Sequence, residues 1–528
     1  MMGWLRGRAS RPTAGKAPAQ DARVVSVAII GSGFSGLGMA IRLKQEGEHD
    51  FVVLEKEDDI GGTWYVNNYP GCACDVQSHL YSFSFAQNPD WSRMFAGQPE
   101  ILAYLRDCAD RFGIRPHVRA STAVESAEWD EAIGHWRIRL SSGGQLQARV
   151  LVSGAGGLSR PLIPEIPGLQ DFAGEQFHSQ RWNHELELSG KRVAVIGTGA
   201  SAIQFVPEVA KQAAQLELYQ RSAPWILPKP DRAISDGERT LYRRSRRARK
   251  AQRSRLYWQL ESRALGFVVN RRLLKIAERE ARSHLRSQVP DRELRSRLKP
   301  DYAMGCKRAL MSNDYYPALC RENVAVHTGG IESVSAQGIV GRDGVERPVD
   351  VIIYGTGFDV RNPLGPVEIV GRDGVGLQDA WADRPQAYLG INVAGFPNLF
   401  LIMGPNTGLG HNSMVYMIEA QIEYVIKAIK AMRRRQLRAI DIKPEVMLRY
   451  DAEVQAMSRN TVWTEGGCKS WYLDEKGHNF SLWPSFTWQY RARTQDFRIG
   501  HYRQQRQPRP SRYAPAPDFN PGGVPQGT

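Results

Sequence analysis

The sequence lacks the long hydrophobic runs of an integral membrane protein and the paired cysteines of a redox or zinc site. No stretch of about 18 or more consecutive apolar residues occurs in its 528 residues, so we expect no membrane-spanning helix. The basic N-terminus precedes no apolar segment and does not resemble a secretory signal. The six cysteines form no C-x-x-C pair and have no histidine at metal-ligand spacing. We therefore expect reduced thiols, no bound metal and a cytoplasmic location.

Positive charge is in excess, but it is concentrated in one segment. The net charge is +15, and residues 231–300 alone hold 21 basic and 8 acidic residues. Apolar residues recur there at helical intervals, which predicts amphipathic helices. No RNP, helix-turn-helix or zinc-finger pattern accompanies the charge, which argues against nucleic acid as a partner. A solvated helical face, or peripheral docking on a membrane surface or an acidic partner, stays open.

Two strand–glycine–helix units define the organisation of the chain. One begins with the apolar run at 24–30 and the other with the run at 192–196, and a Pro- and Gly-rich stretch separates them. We predict an α/β fold of two Rossmann-like dinucleotide-binding domains with a helical insert. The predicted segments are 24–160 and 386–502 for the first domain, 161–235 and 300–385 for the second, 236–299 for the basic insert, and 1–23 and 503–528 for flexible tails.

Both glycine motifs stand in the context in which G-x-G-x-x-G binds a dinucleotide, after an apolar strand and at the start of a helix. The glycines let the backbone approach a pyrophosphate at the helix N-terminus. The predicted contacts are Gly31, Gly33 and Gly36 in the first motif and Gly197, Thr198, Gly199, Ala200, Ser201 and Ala202 in the second.

The two motifs differ at one matched position downstream. Glu55 follows Gly36 by 19 residues, and Arg221 follows Ala202 by the same 19. A carboxylate there accepts hydrogen bonds from ribose hydroxyls and repels a 2′-phosphate, whereas a guanidinium suits that phosphate. The sequence therefore predicts FAD in the first domain and NADPH in the second, with Gln220 beside Arg221 at the NADPH site.

Two further stretches are similar to a known enzyme family. Residues 172–183 (FAGEQFHSQRWN) resemble the F-x-G-x-x-x-H-x-x-x-W-(P/D) fingerprint of type I Baeyer–Villiger monooxygenases, and residues 61–75 resemble that family's longer N-terminal signature. Asn183 departs from the Pro or Asp of the fingerprint. The related N- and S-oxidising flavin monooxygenases therefore stay open as an alternative, although those generally lack a tryptophan at the position of Trp182.

The resemblance implies roles for individual residues. Arg308 matches the family's active-site arginine, and Asp75 matches the carboxylate that orients it. Lys307 would bind the 2′-phosphate of NADPH together with Arg221 and Ser222. Further implied positions are Glu55, Thr63, Trp64, Asp75, Tyr81 and Met414 against FAD, Trp471 on a loop that closes over the nicotinamide, and His178 and Trp182 in coupling domain motion to catalysis.

The resemblance also implies a reaction. The family inserts one oxygen atom of dioxygen beside a ketone carbonyl, through a flavin C4a-peroxide, and gives an ester or lactone. That peroxide must stay anionic, and the permanent charge of Arg308 suits it. The implied cofactors are FAD and NADPH, and the implied partners are a small-molecule ketone and dioxygen. One alternative from another class is a flavoprotein module that docks through the basic face of residues 231–300.

Overall fold

The computed structural model describes residues 24–361, 364–365 and 367–506. The strands are β1 (Val24–Ile30), β2 (Phe51–Leu54), β3 (Val118–Arg119), β4 (Val124–Asp130), β5 (His135–Leu140), β6 (Gln145–Ser153), β7 (Glu175–His178), β8 (Arg192–Ile196), β9 (Gln215–Tyr219), β10 (Ile226–Leu227), β11 (Leu310–Met311), β12 (Val324–His327), β13 (Ile331–Val334), β14 (Gly338–Gly341), β15 (Glu346–Pro348), β16 (Val351–Tyr354), β17 (Glu368–Val370), β18 (Leu399–Leu401), β19 (Leu437–Ile442) and β20 (Tyr502–Arg506).

The α-helices lie between these strands and are concentrated after the second glycine motif. They are α1 (Phe34–Gln45), α2 (Thr63–Val66), α3 (Gln98–Arg111), α4 (Ala202–Ala210), α5 (Asp236–Arg244), α6 (Arg246–Glu261), α7 (Leu274–Gln288), α8 (Arg292–Arg297), α9 (Tyr315–Leu319), α10 (Leu377–Ala380), α11 (Met414–Arg434), α12 (Pro444–Ser458), α13 (Val462–Glu465) and α14 (Thr487–Gln495). A π-helical turn, Leu265–Val269, follows α6. Among the described residues, no helix is long and apolar enough to cross a bilayer.

The first sheet has the strand order β17-β4-β5-β6-β1-β2-β3, with β18 paired to β6. β1 runs parallel to both of its neighbours, β2 and β6. Val27 and Ile29 face a core that includes α1 and α11, whereas Ala28 and Ile30 face a second core that includes Trp129. Burial on both faces explains why β1 is an almost continuous apolar run.

The second sheet, β12-β9-β8-β16-β7, is parallel throughout. Val193 and Val195 of β8 pack with α4 on one face, while Ala194 and Ile196 pack beneath the small antiparallel sheet β13–β15 on the other. Each sheet carries one glycine motif at the carboxyl end of an interior parallel strand, β1 or β8, where open α/β sheets bind ligands. The predicted α/β architecture with two dinucleotide-binding folds is confirmed.

Two segment boundaries differ from the prediction. β17 pairs with β4 of the first sheet, so the chain returns to the first domain before residue 386. β20 pairs antiparallel with β19, and residues 503–506 therefore belong to a strand rather than to a tail. These four residues are polar and lie on an edge strand. They therefore lack the alternation of apolar and polar residues that predicts a strand. The predicted tail at 1–23, and 507–528 of the other, lie outside the described residues.

The expectation of reduced thiols is wrong for two of the six cysteines. Cys306 and Cys468 form a disulfide across 162 residues of sequence. The four free cysteines are Cys72, Cys74, Cys108 and Cys320. Spacing along the chain gives no sign of this pair, because the fold alone brings the two segments together.

Candidate active site

In the first glycine motif, backbone segments lie so close together that there is little room for side chains. Gly31 directly follows β1 and has φ +87°, and a Cβ on Gly36 would lie 1.8 Å from the Gly31 carbonyl oxygen. A Cβ on Gly33 would face the Cα of Gly62 at 3.5 Å. Within the described part of the chain, no side chain caps α1 and its first turn holds no acidic residue. The first N–H groups of α1 are therefore available to bind a pyrophosphate.

Glu55, directly after β2, is buried beside this motif. Its Oε2 accepts hydrogen bonds from the Ser32 backbone N–H at 2.8 Å and from the Ser32 hydroxyl at 2.6 Å. Its Oε1 accepts from the Glu57 backbone N–H at 3.0 Å. The carboxylate thus holds the glycine turn in place, and it lies at the strand end where ribose hydroxyls are bound in such folds.

Aromatic residues predicted on the flavin side gather at the start of α1. The Trp64 indole donates to the Tyr81 hydroxyl at 3.1 Å, and the Tyr81 ring lies 5.1 Å from that of Phe34. Thr63 is the exposed first residue of α2. Met414 begins α11 and packs half-buried against the same core. The structure therefore brings most of the predicted FAD contacts to one place.

The second glycine motif is also a turn packed closely against neighbouring backbone, but its side chains differ from those of the first. Gly197 has φ +110°, and a Cβ there would lie 2.4 Å from the Gly355 carbonyl oxygen. Ala202 opens α4, and no described side chain caps that helix. The Thr198 hydroxyl donates to the Ser222 carbonyl at 3.2 Å, which fixes the motif to the turn after β9. Gly199 and Ala200 are exposed, and Ser201 is half-buried before α4.

Two cations and a hydroxyl converge beyond β9. The Lys307 ammonium donates to the Ser222 hydroxyl at 2.8 Å. Burial lowers the pKa of Lys307, and the positive charge of the exposed Arg221 lowers it further. Two like charges held together in this way are the donor set that a phosphate monoester neutralises. The neighbouring Gln220 is buried instead, and its amide donates to the Arg297 carbonyl at 2.8 Å.

Arg308 joins the two domains. Its Nε donates to Asp75 Oδ2 at 2.7 Å, its Nη2 lies 2.7 Å from the same oxygen in an ion pair, and its Nη1 donates to the Leu409 carbonyl at 3.2 Å. Asp75 and Leu409 belong to the first domain, whereas Arg308 leads into β11 of the second. Asp75 raises the pKa of Arg308, so the guanidinium stays charged at any working pH. Both side chains remain about a third exposed, which leaves the cation accessible to a bound molecule.

The loop that carries Trp471 is tied to the Arg308 segment. The Cys306–Cys468 disulfide joins the two stretches. Trp471 is 52% exposed, and its ring lies 4.5 Å from that of the buried Tyr472. The buried Tyr472 lies close enough to Arg308 to interact with its charge, and burial raises the pKa of Tyr472 to about 12. Sequence reasoning missed Tyr472, Leu409 and the disulfide, because only folding brings them to Arg308.

The two fingerprint residues lie within the second domain. His178 Nδ1 accepts from the Gln180 backbone N–H at 3.1 Å, while its buried Nε2 has no partner among the described residues. Burial lowers the pKa of His178, which keeps the ring neutral. Trp182 packs against Phe177 and Phe205.

A buried polar cluster that the sequence did not indicate lies behind the Leu409 loop. Glu261, at the end of α6, accepts from Asn412 at 2.6 Å and from the Thr487 hydroxyl at 2.7 Å. His411 Nε2 lies 3.6 Å from the same carboxylate. Neither nitrogen of the buried His411 ring has a hydrogen-bond partner within the described ranges. The insert is thus bonded to the loop that contacts Arg308.

Comparisons with known proteins agree with this geometry. The family model described as flavin-binding monooxygenase-like matches residues 24–370. A Baeyer–Villiger monooxygenase of Pseudomonas aeruginosa is 54% identical over 482 residues, covering 91% of this chain and 92% of that protein. One from Streptomyces coelicolor is 45% identical, covering 90% and 92%. The crystal structure of OTEMO in complex with FAD and NADP superposes with a TM-score of 0.82 at 29% identity, covering 92% of this chain and all of that one. The chain belongs to the flavin-binding monooxygenase-like family and, within it, to the Baeyer–Villiger monooxygenases.

Proposed function

We propose that this chain oxidises a ketone to an ester or lactone with dioxygen and NADPH, and that Arg308 and Asp75 form the centre of its active site. The observation that carries the assignment is the Arg308–Asp75 pair, a permanent cation held at the junction of two dinucleotide-binding folds. Bound FAD, once reduced by NADPH, supplies the activation of dioxygen.

In this proposal Arg308 stabilises negative charge on oxygen at the reacting centre. A fixed guanidinium lowers the energy of an anionic oxygen without having to reorient during the reaction. Asp75 holds that guanidinium by one hydrogen bond and one ion-pair contact to the same carboxylate oxygen. The Leu409 carbonyl accepts a second hydrogen bond from Arg308, which leaves further N–H groups of the guanidinium free to meet the bound reactants.

Cofactor binding follows from the two glycine motifs. Lys307, Arg221 and Ser222 hold the 2′-phosphate of NADPH, since they form a cationic cluster at the end of β9. Glu55 binds the ribose of FAD while it fixes the Ser32 turn. Trp471 closes over the nicotinamide, and His178 and Trp182 couple the motion of the second domain to that closure. We place the enzyme in the cytoplasm, because it consumes NADPH.

The test is product analysis on a panel of ketones and sulfides with FAD-loaded protein. We expect wild type to give esters or lactones, and Arg308→Ala to lose about 100-fold or more of that activity, a loss typical of removing one stabiliser of an oxyanion. FAD content and the reduction of bound flavin by NADPH should survive. Arg434→Ala, on an exposed turn of α11, is the matched control.

Two outcomes would contradict the proposal. Sulfoxides or N-oxides as the sole products, formed equally well by Arg308→Ala, would assign the chain to heteroatom oxidation. Ester formation that survives in Arg308→Ala would leave the reaction in place but remove Arg308 from its centre. Asp75→Asn separates positioning from charge, since it keeps the shape of the side chain and weakens its hold on Arg308.

A further inference from the structure

The basic insert presents a cluster of exposed apolar side chains at one end. Fifteen large hydrophobic residues are exposed in the described part of the chain, and five of them lie within 258–276. Their side chains are between 42% and 66% exposed. We call these five the tip surface: Trp258, Leu265, Val269, Leu273 and Ile276.

Four members of the tip surface lie on consecutive short elements at one end of the insert, and Trp258 lies on α6 shortly before them. Leu265 and Val269 stand at the two ends of the π-helical turn that follows α6. The next short turn folds back on it, since a Cβ on Gly266 would lie 3.8 Å from the Leu273 Cβ. Ile276 follows on the first turn of α7. Single exposed apolar residues are normal on a protein surface, whereas a contiguous group marks a contact site.

Positive charge lies beside this patch, and only part of it is compensated by nearby acidic residues. Residues 262–277 contain four basic residues and no Asp or Glu. Arg271 is paired with Glu465. Arg272 and Lys275 are exposed, and neither forms an ion pair with another described residue. The patch therefore offers apolar side chains and uncompensated cations together, and its partner must be both anionic and able to accept apolar groups.

We propose that the tip surface docks this enzyme on an anionic lipid bilayer. Trp, Leu, Val and Ile beside Arg and Lys are the composition of helices that lie in the membrane interface. Basic residues next to it are attracted to anionic headgroups, while the apolar side chains enter the acyl boundary. A second copy is disfavoured as the occupant, because a symmetric contact would bring two identical cationic patches together.

The docked segment is also a wall of the candidate site. Phe267, between Leu265 and Val269, points inward and stacks on Trp463 with ring centroids 5.9 Å apart. A Cβ on Gly305 would lie 2.8 Å from the Phe267 ring, and Gly305 is three residues before Arg308. Docking would therefore hold the Arg308 side of the molecule close to the bilayer. The binding inference itself does not depend on the reaction proposed above.

The experiment is flotation of the full-length, FAD-loaded protein with vesicles. The vesicles are pure phosphatidylcholine or phosphatidylcholine with phosphatidylglycerol, each at low and high salt. We expect wild type to float with the anionic vesicles at low salt and to be released by salt. Arg272→Gln with Lys275→Gln should weaken binding about 30-fold, from roughly 1 kcal/mol for each cation near the surface. Val269→Ser with Ile276→Ser should weaken it about tenfold or more, by removing buried apolar groups.

Matched controls test whether the effect belongs to this surface. Arg434→Gln with Arg435→Gln removes two exposed cations from the end of α11, and Leu448→Ser removes an exposed apolar side chain of α12. Both controls should float like wild type, and FAD content should be unchanged in every variant.

Three results would overturn the proposal. The first is wild type that does not float with anionic vesicles. The second is binding that both tip-surface variants retain in full, or that the α11 control loses, since another surface would then be responsible. The third is sedimentation showing a stable oligomer in solution that Val269→Ser with Ile276→Ser dissociates, which would assign the patch to self-association.

Discussion

The two dinucleotide motifs form similar strand–turn–helix units, but they carry different residues at the sixth position of G-x-G-x-x-G. In the first motif that position is Gly36, where a Cβ would lie 1.8 Å from the Gly31 carbonyl oxygen. In the second it is Ala202, a fully buried residue with a Cβ. The first turn is therefore closed by contact of backbone on backbone, whereas the second is open enough for a methyl group. Similar sequence motifs therefore form two turns that differ in the space around the sixth residue.

The motifs also differ in where their recognition groups come from. In the first, Glu55 lies one strand away and bonds to the motif itself through Ser32. In the second, Lys307 comes from 110 residues beyond Gly197 and reaches the motif through Ser222. The acidic recognition group of the first motif is thus local, whereas a cationic group of the second motif comes from a distant segment. Changes near residues 305–308 should consequently affect NADPH more than FAD.

The largest expected effect comes from adding one methyl group to the first motif. Gly36→Ala should destabilise the protein by about 3 kcal/mol or more, because the new Cβ overlaps fixed backbone. We expect FAD content to fall with it, as measured by flavin absorbance per chain. Gly199→Ala is the contrast, since the nearest atom to its Cβ is 3.9 Å away. That variant should keep its stability and lose NADPH affinity alone, because its methyl group occupies the approach of the pyrophosphate. Equal stability of the two variants would contradict the difference in tightness.

We expect the next largest effect from breaking the Cys306–Cys468 disulfide. Cys468→Ser removes a link that closes a long loop, and we expect the free energy of unfolding to fall by about 2–4 kcal/mol. The KM for NADPH should rise, because the loop with Trp471 is released from the Arg308 segment, while FAD content stays constant. Chemical denaturation with and without reductant measures the first effect. Cys320→Ser, at an exposed free cysteine, is the control and should change neither quantity. Loss of FAD in Cys468→Ser would show that the two sites are not separable in this way.

Arg221→Ala tests the difference between the two motifs at a single group, the 2′-phosphate of NADPH. Removing a charged hydrogen-bond donor costs about 1.5–3 kcal/mol, which predicts a KM for NADPH raised about 10- to 100-fold. The KM for NADH should stay unchanged, because NADH has no 2′-phosphate. Steady-state kinetics with both nucleotides measure the ratio, and an equal rise for NADH would place Arg221 elsewhere on the nucleotide. Glu55→Gln should leave this ratio untouched.

Local features of the sequence were enough for the fold. Apolar strands, glycine turns and the matched offsets of Glu55 and Arg221 all lie within about one strand–helix–strand unit, which pattern analysis can resolve. Polar edge strands such as β20 carry no such pattern, and residues 503–506 were wrongly assigned to a tail.

The site was less accessible to sequence reasoning. Arg308 and Asp75 are 233 residues apart, and they were paired through family resemblance rather than through any property of the chain. Tyr472 and the Cys306–Cys468 bridge had no such guide. Contacts of this kind depend on how loops close over the finished sheets, and this information is absent from local periodicity.

The smallest expected effect is a pH dependence of the KM for NADPH that the KM for NADH does not share. Burial and the charge of Arg221 lower the pKa of Lys307, and the 2′-phosphate binds its ammonium form. As pH rises through that lowered pKa, Lys307 loses its proton and the KM for NADPH should increase. Arg221→Ala removes the neighbouring positive charge, so the pKa of Lys307 should rise and the alkaline limb should move to higher pH. Profiles of KM from neutral to alkaline pH test this, with NADH as a control that should show no limb. An alkaline limb that stays in place in Arg221→Ala would mean that a group other than Lys307 titrates.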